Sequence, residues 1–164
     1  MRFRRKDRSA PDVAVALRDQ VLGLEPGAVG AAPTRARPRV WGVLMETGYP
    51  EAVATLVVLA DGTTSLYFSN GGGVIGAGAH QTVRTAGEKL LAAGEALFSA
   101  FTPATDHPLP NVGRVRFILR TFDKTMATEA AEADLGGGRH PLSPLFYAAH
   151  GVITAVREAS SAGT

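Results

Sequence analysis

The chain of 164 residues contains no cysteine. That excludes a disulfide framework, a thiolate zinc site, an iron–sulfur cluster and a cysteine nucleophile. No stretch reaches the roughly eighteen apolar residues that a membrane-spanning helix requires. The four histidines, His80, His107, His140 and His150, include no pair three or four residues apart, so the helical metal-ligand spacing is absent. There is no nucleophile elbow, no carboxylate pair of diagnostic spacing, and no Lys-Ser or Lys-Thr after a glycine run to make a Walker loop. These absences lean away from an enzyme, and no motif calls for a cofactor.

What is present reads as one globular domain. Hydrophobic residues make up 45% and charged residues 20%, ordinary values that exclude whole-chain disorder. The net charge of +2 hides an asymmetry: residues 1–8 carry five Lys/Arg and one Asp, which leaves twelve Lys/Arg against fourteen Asp/Glu elsewhere. The high isoelectric point is therefore a property of the Arg2–Arg8 segment; nucleic acid contact is not expected except through that segment, whose simpler reading is a solvated tail. That basic start resembles the front of a signal peptide, but Asp12, Arg18, Asp19 and Gln20 follow where an apolar core belongs, so the expectation is an unprocessed, cytoplasmic protein. Residues 1–10 are assigned to a basic tail, 11–158 to a single α+β domain with a Pro/Gly/Ala-rich linker at 25–38, and 159–164 to a frayed end.

The most suggestive stretch is Ser69 to His80, which holds five of the nineteen glycines. It lies between a strand-like run, Thr64–Phe68, and a proline-free run with helical period from Ala79 to Phe101. Strand, glycines and helix is an order that can cradle phosphate, because glycine allows close backbone approach and a helix start offers free N–H groups. Gly71-x-Gly73-x-x-Gly76 matches the dinucleotide spacing, yet no acidic residue follows at the end of a second strand, as that fingerprint needs. A site for a phosphorylated small ligand would use Gly71, Gly72, Gly73, Gly76, Gly78, His80 and Arg84. The simpler reading is a crossover loop, with Val74 and Ile75 tucked beneath it as an apolar plug.

Around it, Pro11 to Leu24 reads as an amphipathic helix capped by Ser9, packed on a sheet edge or a partner and loosely attached through the linker. Val40–Met45, Ala52–Ala60 and Thr64–Phe68 read as an antiparallel meander, with Asp61-Gly62 turning the second hairpin. In the helix that follows, Gly87 and Gly94 repeat at the spacing of Val83, Leu90 and Leu97 and imply close approach to the sheet or to another helix. Val112 to Phe122 alternates, placing Arg114, Arg116 and Arg120 on one face, where they could bind a phosphate or acidic partner; the simpler reading is a solvated face or pairing with acids on neighbouring strands. Residues 124–135 are left between helix and strand, and the last helix is expected to start with Ser143 as its cap.

The order α-β-β-β-α-β-α, three meander strands plus a fourth after a long helix, implies an antiparallel sheet packed against helices, an α+β fold. Element order and size are similar to those of the profilin-like and the roadblock or longin-type folds. That resemblance implies a dimerising adaptor. The leading expectation is a small cytoplasmic binding or adaptor domain that self-associates as a homodimer, with a protein partner; the alternative is the phosphorylated-ligand protein built on the glycine loop.

Overall fold

The computed structural model describes residues 10–162; the Ser9 cap, the Arg2–Arg8 segment and the last two residues lie outside the described residues. The fold is α+β. Among the described residues, seven strands form one antiparallel sheet: β1 (Val40–Gly48), β2 (Val53–Leu59), β3 (Thr64–Phe68), β4 (Gly73–Ile75), β5 (Thr102–Pro103), β6 (Arg114–Thr121) and β7 (Thr125–Ala131), in the spatial order β4-β3-β2-β1-β6-β7-β5. Four α-helices accompany it: α1 (Ala10–Gly23), α2 (Gln81–Ala96), α3 (Glu132–Gly136) and α4 (Ser143–Ala162). None of these helices is long and apolar enough to cross a membrane.

β1 is central and buried along its whole length. Its side chains alternate between two cores. Val43 and Met45 join Leu56, Val58, Phe117 and Leu119 beneath α2 and α4. Trp41 and Leu44 join Val57, Leu59, Tyr67 and Ile118 on the opposite face, against Leu17, Val21 and Leu22 of α1. A bulge between Val40 and Gly42 leaves Trp41 as the extra residue. This turns its indole into the second core, where Nε1 donates to the Thr121 carbonyl at 3.0 Å.

The first helix therefore differs from its expected place. It covers a sheet face, not an edge, because strands that are apolar on both sides must be covered on both sides. The 25–38 segment is also no loose linker. It makes a short 3-10 turn at Pro26–Val29, packs Val29 and Ala31 into the α1-side core, and pairs Arg37 with Glu88 at 3.3 Å. At its end, the Arg39 backbone N–H and Nε both donate to the Glu95 carboxylate, at 2.7 and 2.9 Å.

Three further strands join the four expected. The open region 124–135 resolves into β7 followed by α3; Met126 and Ala130 fill the main core while Ala127 fills the other, so pairing with β6 overrides a composition poor in strand formers. β5 and β4 are short edge strands on β7 and β3. Because β4 is a strand, its neighbours face opposite ways: Val74 packs on the core, but Ile75 is 64% exposed and plugs nothing. Ser143 does not cap its own helix; its hydroxyl donates to the Leu135 carbonyl at 2.8 Å and ties α3 to α4.

Within α2, Gly87 and Gly94 have the sheet role their spacing implies. A Cβ at Gly87 would come within 3.1 Å of Val58, and one at Gly94 within 3.0 Å of Val43.

The glycine run makes a testable distinction. Gly76 adopts the left-handed region at φ 77° with open space around it, whereas a Cβ on Gly78 would lie 1.8 Å from the Gly62 carbonyl oxygen. Gly76→Ala is expected to cost about 1–2 kcal/mol from backbone conformation. Gly78→Ala is expected to cost more, roughly 3 kcal/mol, because the β2–β3 turn must move. Urea midpoints of the two variants check the order.

Candidate functional site

The register of the sheet collects polar side chains in one line across the α1-side face. Tyr67 stands opposite Thr55, Thr55 opposite Glu46, Glu46 opposite Arg116, and Arg116 opposite Glu129. The line crosses five strands. Directly beside it lies the apolar row of Leu44, Val57 and Ile118, so the polar groups sit at the margin of a core.

Glu46 is its centre, with 0% exposure. A carboxylate so buried needs a cation and further hydrogen bonds. α1 supplies the cation: Arg18 Nε donates to Oε2 at 2.7 Å and Nη2 to Oε1 at 2.8 Å. Thr55 donates its hydroxyl to Oε2 at 2.8 Å. Arg18 Nη2 also reaches the His107 carbonyl at 2.5 Å, which fastens the 104–113 loop to the same point. The hydrogen bond to Glu46 raises the Arg18 pKa against the opposing cost of burial. Both oxygens of Glu46 are thus occupied. It acts as a docking pin for α1.

Three polar atoms around this pin are buried with no hydrogen-bond partner among the described residues: the Tyr67 hydroxyl, His107 Nδ1 and Arg116 Nε. Burial pushes the Tyr67 phenol up, helped by the nearby Glu46 charge. Burial first, then the charges of Arg116 and Arg18, lowers the His107 pKa.

The arginine face expected from β6 is present but divided. Arg114 pairs with Glu129 at 3.2 Å on the surface. Arg116 donates through Nη2 to the Asp106 carbonyl at 3.2 Å. Arg120 is buried at the end of α1, where it donates to the carbonyls of Val21 at 3.1 Å, Leu22, and Leu24 at 2.6 Å. These are carbonyls that a helix end leaves open, and a cation there also meets the negative end of the helix dipole. Its guanidinium lies 5.0 Å from the centre of the Trp41 ring, and burial lowers its pKa. Arg18 and Arg120 together hold the middle and the end of α1.

The glycine loop lies elsewhere, separated from β6 by β3, β2 and β1. Gly71 and Gly72 form the β3–β4 turn, with the Gly71 N–H on the Phe68 carbonyl at 2.9 Å and the Phe68 N–H on the Gly72 carbonyl at 3.2 Å. Gly73 opens β4, where a Cβ would strike the Leu66 carbonyl at 2.3 Å. Gly76 and Gly78 belong to the short turn before α2. His80 occupies the N-cap position of α2 with no side-chain cap bond, and Arg84 Nη2 donates to Gln81 Oε1 at 3.0 Å. Turn geometry and close backbone contacts account for these glycines.

Sequence reasoning missed Glu46, Arg18, Thr55 and Tyr67. One signal existed: Glu46 is an acid at the end of the apolar run Val40–Met45, a position that needs a partner.

No family model, curated protein or solved structure matches this chain.

Arg18→Met alone would strand the Glu46 carboxylate and is expected to cost about 3–5 kcal/mol, while Arg18→Met with Glu46→Leu should return to within about 1–2 kcal/mol of the parent. Urea unfolding followed by Trp41 fluorescence measures both, and the same probe reports whether α1 still covers the indole. A second expectation concerns pH. His107 and His150 are both held below the ordinary histidine value of 6.5 by burial, so the unfolded chain takes up protons first as pH falls. Their contribution to stability is complete above 6.5 and is lost below it. The urea midpoint of the parent should fall more steeply between about pH 7 and 5 than that of the His107→Gln/His150→Gln variant.

Proposed function

We propose that this chain is a small binding domain of the adaptor kind that associates with a second copy of itself through the outer face of α2 and α4. The observation that carries this reading is Gly151. It lies inside α4, where glycine costs about 1 kcal/mol relative to alanine. Gly87 and Gly94 have a reason in the packing of α2 on the sheet. Gly151 has none among the described residues, where a Cβ would meet no atom within 4 Å.

Gly151 forms part of a trough of about 480 Å³ between α2 and α4, whose walls include Thr82, Thr85, Ala86 and Ala148. Lys89 is the one charged residue among those lining it. Tyr147, 50% exposed, stands on the same surface. Low charge with an exposed tyrosine is the composition of interface cores. A two-fold contact is self-complementary, so the same face can serve both copies: Tyr147, a wall of the trough whose hydroxyl donates to the Gly136 carbonyl at 3.0 Å, would present its exposed ring to the other copy. The cysteine-free composition supports a reducing, cytoplasmic setting.

Sedimentation velocity of the full chain is expected to show a dimer at concentrations on the order of 100 μM. Gly151→Arg fills the trough without touching the monomer's packing. It should yield a monomer whose stability is equal or higher by up to about 1 kcal/mol. A parent protein that stays monomeric at that concentration overturns the reading, as does a Gly151→Arg protein that remains dimeric.

A further inference from the structure

α1 is held differently from the helices on the other face of the sheet. α2 buries Val83, Leu90 and Leu91, and α4 buries Leu145, Ala149, Val152 and Val156. Among the described side chains of α1 only Ala14 is buried; Leu17, Val21 and Leu22 are partly covered, and Val13 and Val15 are 43% and 57% exposed. Apolar attachment scales with the area removed from water, so α1 has the weakest hold of the three. A gap of about 30 Å³ also remains between it and the sheet, with Ala14, Val15, Val53 and Tyr67 among its walls. What lies beneath is the reverse. Trp41, Leu44, Val57, Leu59 and Ile118 are each no more than 1% exposed, and α1 is the helix packed against them.

The two arginine anchors fix the closed position of α1, and both are reversible. Arg18 and Glu46 surrender water when the helix closes and regain it when it lifts, so the intact pair adds little net to closure. Arg120 belongs to β6 and donates to the last carbonyls of α1, groups that water satisfies at an exposed helix end. A hinge is in place as well. Gly23 ends α1, and Gly27 precedes Val29, which packs on the same core. Neither glycine has an atom within 4 Å of where a Cβ would stand, so the backbone can turn at both without collision.

We infer that α1 is a strap that lifts from the sheet as one unit about Gly23 and Gly27 while the sheet, α2 and α4 stay folded, uncovering Trp41 and its apolar neighbours. The rest of the fold does not need α1 to hold together. β1 pairs with β2 and β6 along its length, and the core beneath α2 and α4 contains no residue of α1. Lifting the strap therefore breaks one core and leaves the other whole.

Native-state hydrogen exchange on the full chain labelled with ¹⁵N tests this. The amides of residues 17–22 and the Trp41 indole N–H should exchange through one shared opening, with protection at least about a hundredfold lower than that of the Val43, Leu44 and Met45 amides. Leu17→Ala should speed the α1 amides and the indole by the same factor, about tenfold. Ile153→Val trims the core under α4 mildly enough to keep the fold. It should speed exchange of the β1 amides by about threefold to tenfold and leave α1 and the indole unchanged, because the open state retains that core. If Ile153→Val speeds α1 and the indole as much as it speeds β1, α1 opens only with the whole domain and the inference is overturned. An indole as protected as the β1 amides while α1 exchanges quickly also overturns it, since the helix then frays without uncovering the sheet.

Discussion

The structure depends on a sheet whose central strands are apolar on both faces. β1 and β2 carry Val43, Met45, Leu56 and Val58 toward one side and Trp41, Leu44, Val57 and Leu59 toward the other. Burying a large aliphatic or aromatic side chain is worth about 1.5–3 kcal/mol, so neither face can be left open. α2 and α4 cover the first face with long helices. Among the described residues the second receives α1, the segment that follows it and part of the 104–113 loop, and a single short helix has little area with which to hold its position. Polar anchoring makes up the difference. Arg18 on Glu46 fixes the middle of α1, and Arg120 on the carbonyls of Val21, Leu22 and Leu24 fixes its end.

These anchors confer position as much as stability. Apolar contact alone would tolerate α1 sliding by a turn, because Ala14, Leu17 and Val21 recur along its face. A buried bidentate pair does not tolerate it: moving Arg18 by one turn would leave Glu46 without a cation in a site from which water is excluded. The Arg120 contact fails for the same displacement, since it recognises the helix end. Register is thereby coupled to the 104–113 loop as well, through the Arg18 contact with the His107 carbonyl.

The fold class was legible from local pattern. Alternation in Val112–Phe122 correctly assigned Arg114, Arg116 and Arg120 to one face, and the Asp61-Gly62 turn marked its hairpin. The glycines of α2 were read correctly as a sign of close approach because their spacing matched the apolar stripe. What escaped was anything decided by pairing across the chain. β7 contains few strand formers and owes its state to β6. β4 and β5 are too short to carry a periodicity. The glycine run drew attention because glycine composition is conspicuous, yet much of its content is backbone sterics against Leu66 and Gly62. Glu46 and Arg18 are 28 residues apart, and nothing local in the sequence identifies either as the other's partner.

Two kinds of residue remain that the folded chain does not itself explain, and they differ in what they imply. An exposed helical glycine such as Gly151 costs conformational free energy without any compensating contact, so its use lies outside the monomer or in no constraint at all. A buried hydroxyl such as Tyr67 loses hydration, and a phenylalanine would fill the same space without that cost. Tyrosine at this position is therefore informative in a way that an exposed tyrosine is not. Arg116 Nε and His107 Nδ1 border the same line of residues and are buried without a hydrogen-bond partner among the described residues, although both side chains are only partly buried. The buried ion pair and the polar atoms beside it lie under α1, while the trough between α2 and α4 lies across the sheet.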